Sequence, residues 1–214
     1  MRGRVTGYAW GVGSERLTFD GWIAAVGTRS GTRVVVGHWP RSPFGAFSDV
    51  MLERADGWRT LLAPTAGTAE YIGGVYQFDE VRTAPVRVDR HDGVWEVAAG
   101  PLDLCFRIGR RRALGLALRA VPRPLARLPL WAAVADGPAR LLTGVRTRGS
   151  SRPGCRQWYA AGDLWPIVTA RACLDGADLG PLAPVTPPVR FGFASAPASP
   201  SLVRVHSTVE RTVP

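Results

Sequence analysis

The 214-residue chain contains no lysine, so all 27 of its basic side chains are arginines and no side-chain amine exists for Schiff-base chemistry. Arginine cannot take that role, because its guanidinium stays protonated. Asparagine is absent as well, while arginine, alanine, glycine and proline are abundant, the bias of a GC-rich coding sequence. The preference for arginine is therefore weak evidence for guanidinium-specific recognition. Histidine occurs only three times, at His38, His91 and His206, with no H-x-x-x-H spacing. Cysteine also occurs three times, at Cys105, Cys155 and Cys173, without a C-x-x-C pair. That usage predicts reduced thiols in a cytoplasmic protein and disfavours zinc, and no metal or cofactor is expected. G-x-S-x-G and the phosphate-binding loop are missing, and G-V-G-S-E-R at 11–16 reads as a turn. No apolar run approaches the roughly 18–20 residues of a membrane span, and the start of the chain lacks the apolar core of a signal peptide.

The charge that is present is unevenly placed. The formal net charge is +10. Twelve arginines fall within 101–160 against only Asp103 and Asp136, while basic and acidic residues balance in the remainder. A segment of this kind has three functional readings besides a solvated basic face: nucleic acid, a membrane surface, or an acidic protein partner. Nucleic acid is disfavoured, since no recognised binding module occurs and no aromatics interleave the densest run, from Arg107 to Arg127. An acidic carrier-type partner or an anionic substrate is the preferred functional reading.

Apolar residues make up 46% of the chain, sufficient for a core, and 214 residues suit one β-rich domain. Strand-like runs follow one another with turn residues between them: RLTFDGWIAAVG, RVVVGHW, FSDVMLE, WRTLLAP, YIGGVYQFDEV, APVRVDR, VWEVAAG and LDLCFRIG. Asp-Gly at 56–57 and 92–93 predicts hairpins, most clearly in APVRVDRHDGVWEVAAG. Leu114, Leu118, Val121, Leu125 and Leu128 then recur at helical spacing, with Arg119, Arg123 and Arg127 on a second stripe. Pro122 and Pro124 must kink this amphipathic helix, an insertion over about 110–136. Strands resume with LLTGVRTRG, RQWYAAG, LWPIVTARACLDG, PPVRFGFA and SLVRVHSTV. The expected fold is β-rich α+β: a single antiparallel, barrel-like sheet carrying a kinked amphipathic helical insertion.

That order of elements resembles the acetoacetate decarboxylase-like family, from roughly Val34 onward. The resemblance is carried by G-A-F-S-D, Gly45 to Asp49, which has the form of a family turn whose acid enters the active site. It is carried also by V-Y-Q-F-D-E-V, Val75 to Val81, at the position of the family's Tyr-Pro-Lys-Lys-like segment. The resemblance implies a β-barrel around a small-molecule pocket, with Asp49 entering it. Asp79 and Glu80 stand about where the lysines would be, so decarboxylation through a Schiff base is excluded on that alignment. A lipocalin-like barrel is the competing fold.

The candidate catalytic residues are Asp49, as a desolvated base, with Asp79 or Glu80 as a second carboxylate, and His38 as a base near neutral pH. Phe47 and Tyr76, among the aromatics, are expected to bind substrate, and Arg107 to hold an anionic group. Each has an ordinary structural reading: a solvated or turn-bonded Asp49, Asp79 and Glu80 paired with arginines, and a satisfied core His38. The functional expectation is a small-molecule-binding protein with carboxylate-assisted acid/base chemistry on a carbonyl compound. The alternatives are a non-catalytic ligand carrier and a basic interaction module for an acidic partner.

Overall fold

The computed structural model describes residues 13–122, 146–192 and 196–213. In chain order the elements are β1 (Gly13–Thr28), β2 (Arg33–Arg41), β3 (Phe47–Glu53), β4 (Arg59–Ala63), α1 (Ala66–Val75), β5 (Glu80–Thr83), β6 (Val86–His91), β7 (Val94–Ala99) and β8 (Leu102–Ile108). They continue with α2 (Ala113–Ala120), β9 (Arg148–Arg152), β10 (Cys155–Leu174), β11 (Ala177–Asp178), β12 (Leu182–Ala183) and β13 (Ser201–Val213).

The strands form one sheet whose main path runs β5-β4-β3-β2-β1-β13-β10-β8-β7-β6. It folds over so that Val36, Val50 and Leu52 pack with Trp95, Val97 and Phe106 in one apolar cluster. The sheet does not close: β5 and β6 are its two ends. The expectation of an antiparallel barrel is thus correct only coarsely. After β4 the chain forms α1 and returns as β5, which pairs parallel to β4 (Thr60 with Glu80, Ala63 with Thr83), so the sheet is mixed. Ala84 then donates its N–H to Ala63 O, and Pro85 has no N–H to extend a ladder toward β6.

The hairpins follow their turn chemistry. Asp92 (φ 46°) and Gly93 (φ 77°) both sit in the left-handed region, as a two-residue type I′ connection requires, and β6 pairs β7 from His91/Val94 to Val86/Ala99. In β7, Trp95, Val97 and Ala99 are buried while Glu96 and Ala98 are exposed, the period of two expected of a half-solvated strand.

Several local readings change. Y-I-G-G-V, expected as a strand, is the second half of α1. Thr65 and Thr68 form a reciprocal capping box that satisfies the first turn, and Tyr71, Ile72 and Val75 supply its buried face. Gly13–Arg16 is strand, paired with β13, rather than turn. RQWYAAG and LWPIVTARACL are one strand, β10, with register shifts between Ala161 and Asp163 and between Ile167 and Thr169. PPVRFG carries no strand; it is an irregular segment that buries Val189 and Phe191 and packs with Val185 just before it. Residues 113–120 of the predicted helical insertion form α2, whose Gly115 lies so close to β10 that a Cβ there would collide with Leu164 O. The helix stops at Val121, before Pro122; Arg123, Pro124, Leu125, Arg127 and Leu128 lie outside the described residues. Among the described residues no helix is long and apolar enough to cross a membrane.

Candidate functional site

β2 and β3 pair with Gly37 opposite Asp49 and His38 opposite Ser48. Side chains alternate between faces along a strand. Val36, His38, Val50 and Leu52 therefore face the folded-over half of the sheet. Trp39, Phe47, Asp49 and Met51 face the other way, toward α1 and the segment around Val185–Phe191.

Asp49 is 1% exposed. Its Oδ1 accepts from Trp39 Nε1 at 2.9 Å, and Oδ2, fully buried, has no partner among the described residues. Burial raises its pKa from 3.8 to about 6, with the Trp39 bond pulling in the opposite direction. The carboxylate is accommodated by the glycine across the ladder: a Cβ on Gly37 would collide with both Asp49 Oδ1 and Trp39 Nε1. Gly37→Ala should therefore displace both groups and destabilise the fold by about 1–3 kcal/mol, as overpacking does. Chemical denaturation of the variant measures this, and an unchanged midpoint would show that Asp49 has room to move.

Two tyrosines approach the same region. Tyr76, which ends α1, and Tyr159 of β10 are joined hydroxyl to hydroxyl. Either hydroxyl can donate to Gln157 Oε1, at 3.2 Å from Tyr76 and 3.3 Å from Tyr159. Gln157 is 1% exposed and donates from Nε2 to Ser151 Oγ at 3.3 Å. Burial, assisted by each other and by the Asp49 charge, pushes Tyr76 well above the ordinary tyrosine range. Tyr159 is pushed up to about 12, first by burial. Both therefore keep their protons at neutral pH. Phe19, Phe44, Phe47 and Tyr71 form an aromatic wall beside them: Phe44 and Tyr71 lie 4.9 Å apart, and Phe19 meets Phe47 edge-on at 6.4 Å. Phe44, 40% exposed, comes from the turn after β2, where Gly45 N–H donates to Ser42 O.

The structure brings Phe47 and Tyr76 to the Asp49 face but not the other candidates. Asp79 lies at the surface in a two-pronged pair with Arg59 (2.9 and 3.0 Å), which holds its pKa down to about 2. Glu80 pairs with Arg82 Nε at 2.6 Å, and that bond lowers its pKa. Neither carboxylate meets Asp49, because neighbouring arginines take both. His38 is on the opposite face; its Nδ1 is 2.9 Å from Ser48 Oγ, and burial, then Arg90 and Arg204, lower its pKa to about 4. Arg107 is exposed on β8 and reaches Asp92 O at 3.4 Å. His206 lies in β13, between β1 and β10. Gln157 was not singled out from the sequence. The usable signal was Gly37 within the valine-rich run RVVVGHW, since a strand glycine marks close approach. Among the described residues no group of three His, Cys, Asp or Glu side chains is placed to hold a metal ion.

No family model matches the chain, and no curated protein matches it in sequence. Two solved structures are similar in chain arrangement. The acetoacetate decarboxylase of Legionella pneumophila subsp. pneumophila str. Philadelphia 1 shows 11% identity and a TM-score of 0.42, over 100% of this chain and 92% of its own. A second acetoacetate decarboxylase structure shows 9% identity and a TM-score of 0.43, over 94% of this chain and 91% of its own. The chain's structural neighbours thus include acetoacetate decarboxylases at low identity with nearly full coverage, and no residue role passes from them to this chain.

Proposed function

We propose that the protein binds a small carbonyl compound on the Asp49 face and moves a proton between its carbon and Asp49. The observation that carries this reading is the buried Oδ2, without a partner among the described residues, of a carboxylate held near pKa 6 beside a pair of neutral tyrosines. A base with a pKa near the working pH combines availability with proton affinity. In the proposed step Asp49 Oδ2 takes a proton from the carbon next to the carbonyl, and the bond's electron pair moves into the carbonyl oxygen. A hydroxyl of the Tyr76–Tyr159 pair donates a hydrogen bond to that oxygen as it becomes negative. Returning the proton to carbon closes the cycle. The tyrosine pair supports a division of labour different from a second carboxylate, since Asp79 and Glu80 are both engaged by arginines. The mechanism needs no lysine and no cofactor.

Proton abstraction is visible before the physiological substrate is known. A panel of small ketones, keto acids and thioesters incubated in deuterium oxide should include members whose α-protons exchange faster with the protein than without it. The rate should rise with pH through about 6, as Asp49 ionises, and then level off. Exchange that is no faster than with Asp49→Asn for every compound overturns the catalytic reading and leaves a ligand-binding protein.

A further inference from the structure

The opposite face of the same strands holds a second cluster, separate from Asp49. Trp22 of β1 stands opposite His38 of β2, ring centroids 5.7 Å apart. Trp95 of β7 closes the corner, 6.0 Å from Trp22 and 5.7 Å from His38, perpendicular to the imidazole. Two guanidiniums lie over these rings. Arg90, opposite Trp95 in the β6–β7 hairpin, has its central carbon 4.7 Å from the Trp22 centroid and 5.2 Å from that of Trp95. Arg204 of β13 lies 4.2 Å from Trp22, donates to Gly21 O and pairs with Asp20.

The charges here do not cancel. Asp20 is shared between Arg204 and Arg41, and among the described residues Arg90 has no carboxylate or carbonyl partner, only the two indoles. Stacking on indoles occupies the flat side of a guanidinium and leaves its N–H edge for a planar oxyanion. His38 adds a ring nitrogen: Nδ1 faces Ser48 Oγ, and among the described residues Nε2 has no hydrogen-bond partner.

We propose that this corner is a binding site for the oxyanion of a small molecule, a carboxylate or phosphate group, held by Arg90 and His38 over the floor formed by Trp22 and Trp95. Arg204 supplies a second positive charge without having to leave Asp20. The site is independent of the chemistry at Asp49 and stands or falls separately. It also explains how the two arginines can be tolerated beside an imidazole: they, after burial itself, hold His38 neutral, so Nε2 can present a proton to an anion without a third charge being buried. An anion seated here raises the pKa of His38, and by linkage protonation of His38 tightens anion binding by the same factor. The groups facing His38 are Arg90 from β6, Arg204 from β13, Ser48 from β3, and the two indoles.

The test follows the His38 ring by NMR, its signals assigned with His38→Gln, at pH 6 and constant ionic strength kept with sodium chloride. Inorganic phosphate and sodium acetate serve as separate probes. Saturable shifts of the His38 signals with either probe, and not with chloride, support the site. Response to one probe alone identifies which oxyanion it prefers. Arg90→Gln should weaken that binding about tenfold or more, the usual effect of removing a charge-assisted bond. In wild type the His38 pKa, about 4, should rise by one unit or more in saturating phosphate. Shifts equal to those in chloride with both probes, or phosphate and acetate affinities unchanged in Arg90→Gln, overturn the proposal.

Discussion

Replacing Glu53 by alanine is expected to remove about 3–5 kcal/mol of folding stability, the usual result of leaving one partner of a buried ion pair uncompensated. Glu53 is 0% exposed and Arg33, opposite it in the β2–β3 ladder, is 3% exposed. The carboxylate takes Arg33 Nη2 at 3.2 Å, the backbone N–H of Arg190 at 2.7 Å and Arg190 Nε at 3.0 Å. Arg33 directs its other bonds to Pro187 O and Arg54 O, and its buried Nε has no partner among the described residues. Without Glu53 a guanidinium remains in the interior with carbonyl dipoles alone to offset its charge. The effect should reach the candidate site as well, because the same carboxylate ties down the segment that buries Val189 and Phe191 next to Tyr76. Urea denaturation reads the loss. An Arg33→Met, Glu53→Leu double variant should recover most of it, since two apolar side chains leave no charge to solvate. A loss below about 1 kcal/mol for Glu53→Ala would indicate a pair behaving as if solvated.

Asp49→Asn should move stability and turnover in opposite directions. The folded-state pKa of about 6 lies above the ordinary value of 3.8. Between those pH values the folded protein retains a proton that the unfolded chain has released. Stability therefore falls as pH rises through that window. The penalty is absent below about 3.8 and complete above about 6, where it amounts to about 3 kcal/mol. Asparagine carries no such charge. Relative to wild type, the variant should gain up to about 3 kcal/mol in going from acidic to neutral pH, while α-proton exchange drops about a hundredfold or more. Denaturation curves at pH 4 and 7.5 supply the first measurement and the deuterium assay the second. A stability difference that does not change with pH would mean that Asp49 is not protonated in the fold. Loss of exchange without that pH signature would point to damaged geometry instead of a lost base.

Much of the sheet could be read from local chemistry, because local chemistry determines it. His91-Asp92-Gly93-Val94 specifies its hairpin through two positive φ angles, and the alternation in β7 through one wet face. The parallel β4–β5 pair was hidden, since α1 is short, contains Gly73 and Gly74, and is held by a threonine capping box that a β-branched pattern disguises. The single strand β10 looks like two in the sequence because its register shifts around Gly162. The position of Asp49 between apolar neighbours could be seen, but its company could not. Tyr159 comes within reach of its charge only through the order in which β13 and β10 follow β1 across the sheet, and it brings Gln157 with it. Asp79 and Glu80 looked equivalent to Asp49 in sequence, yet Arg59 and Arg82, one of them twenty residues away, fix them at the surface.

The pairing of β1 with β13, from Gly13/Val213 to Ala25/Ser201, places the two most distant strands side by side in the middle of the sheet. Assembly is consequently an all-late event. Until β13 is available, β1 and β10 each present an unsatisfied hydrogen-bonding edge, and the ribosome must finish β13 before the sheet can be joined. High contact order of this kind makes folding slow, and bare edges recruit other chains. Truncation before Ser201 would therefore remove the seam of the sheet and leave two halves that each carry an adhesive border.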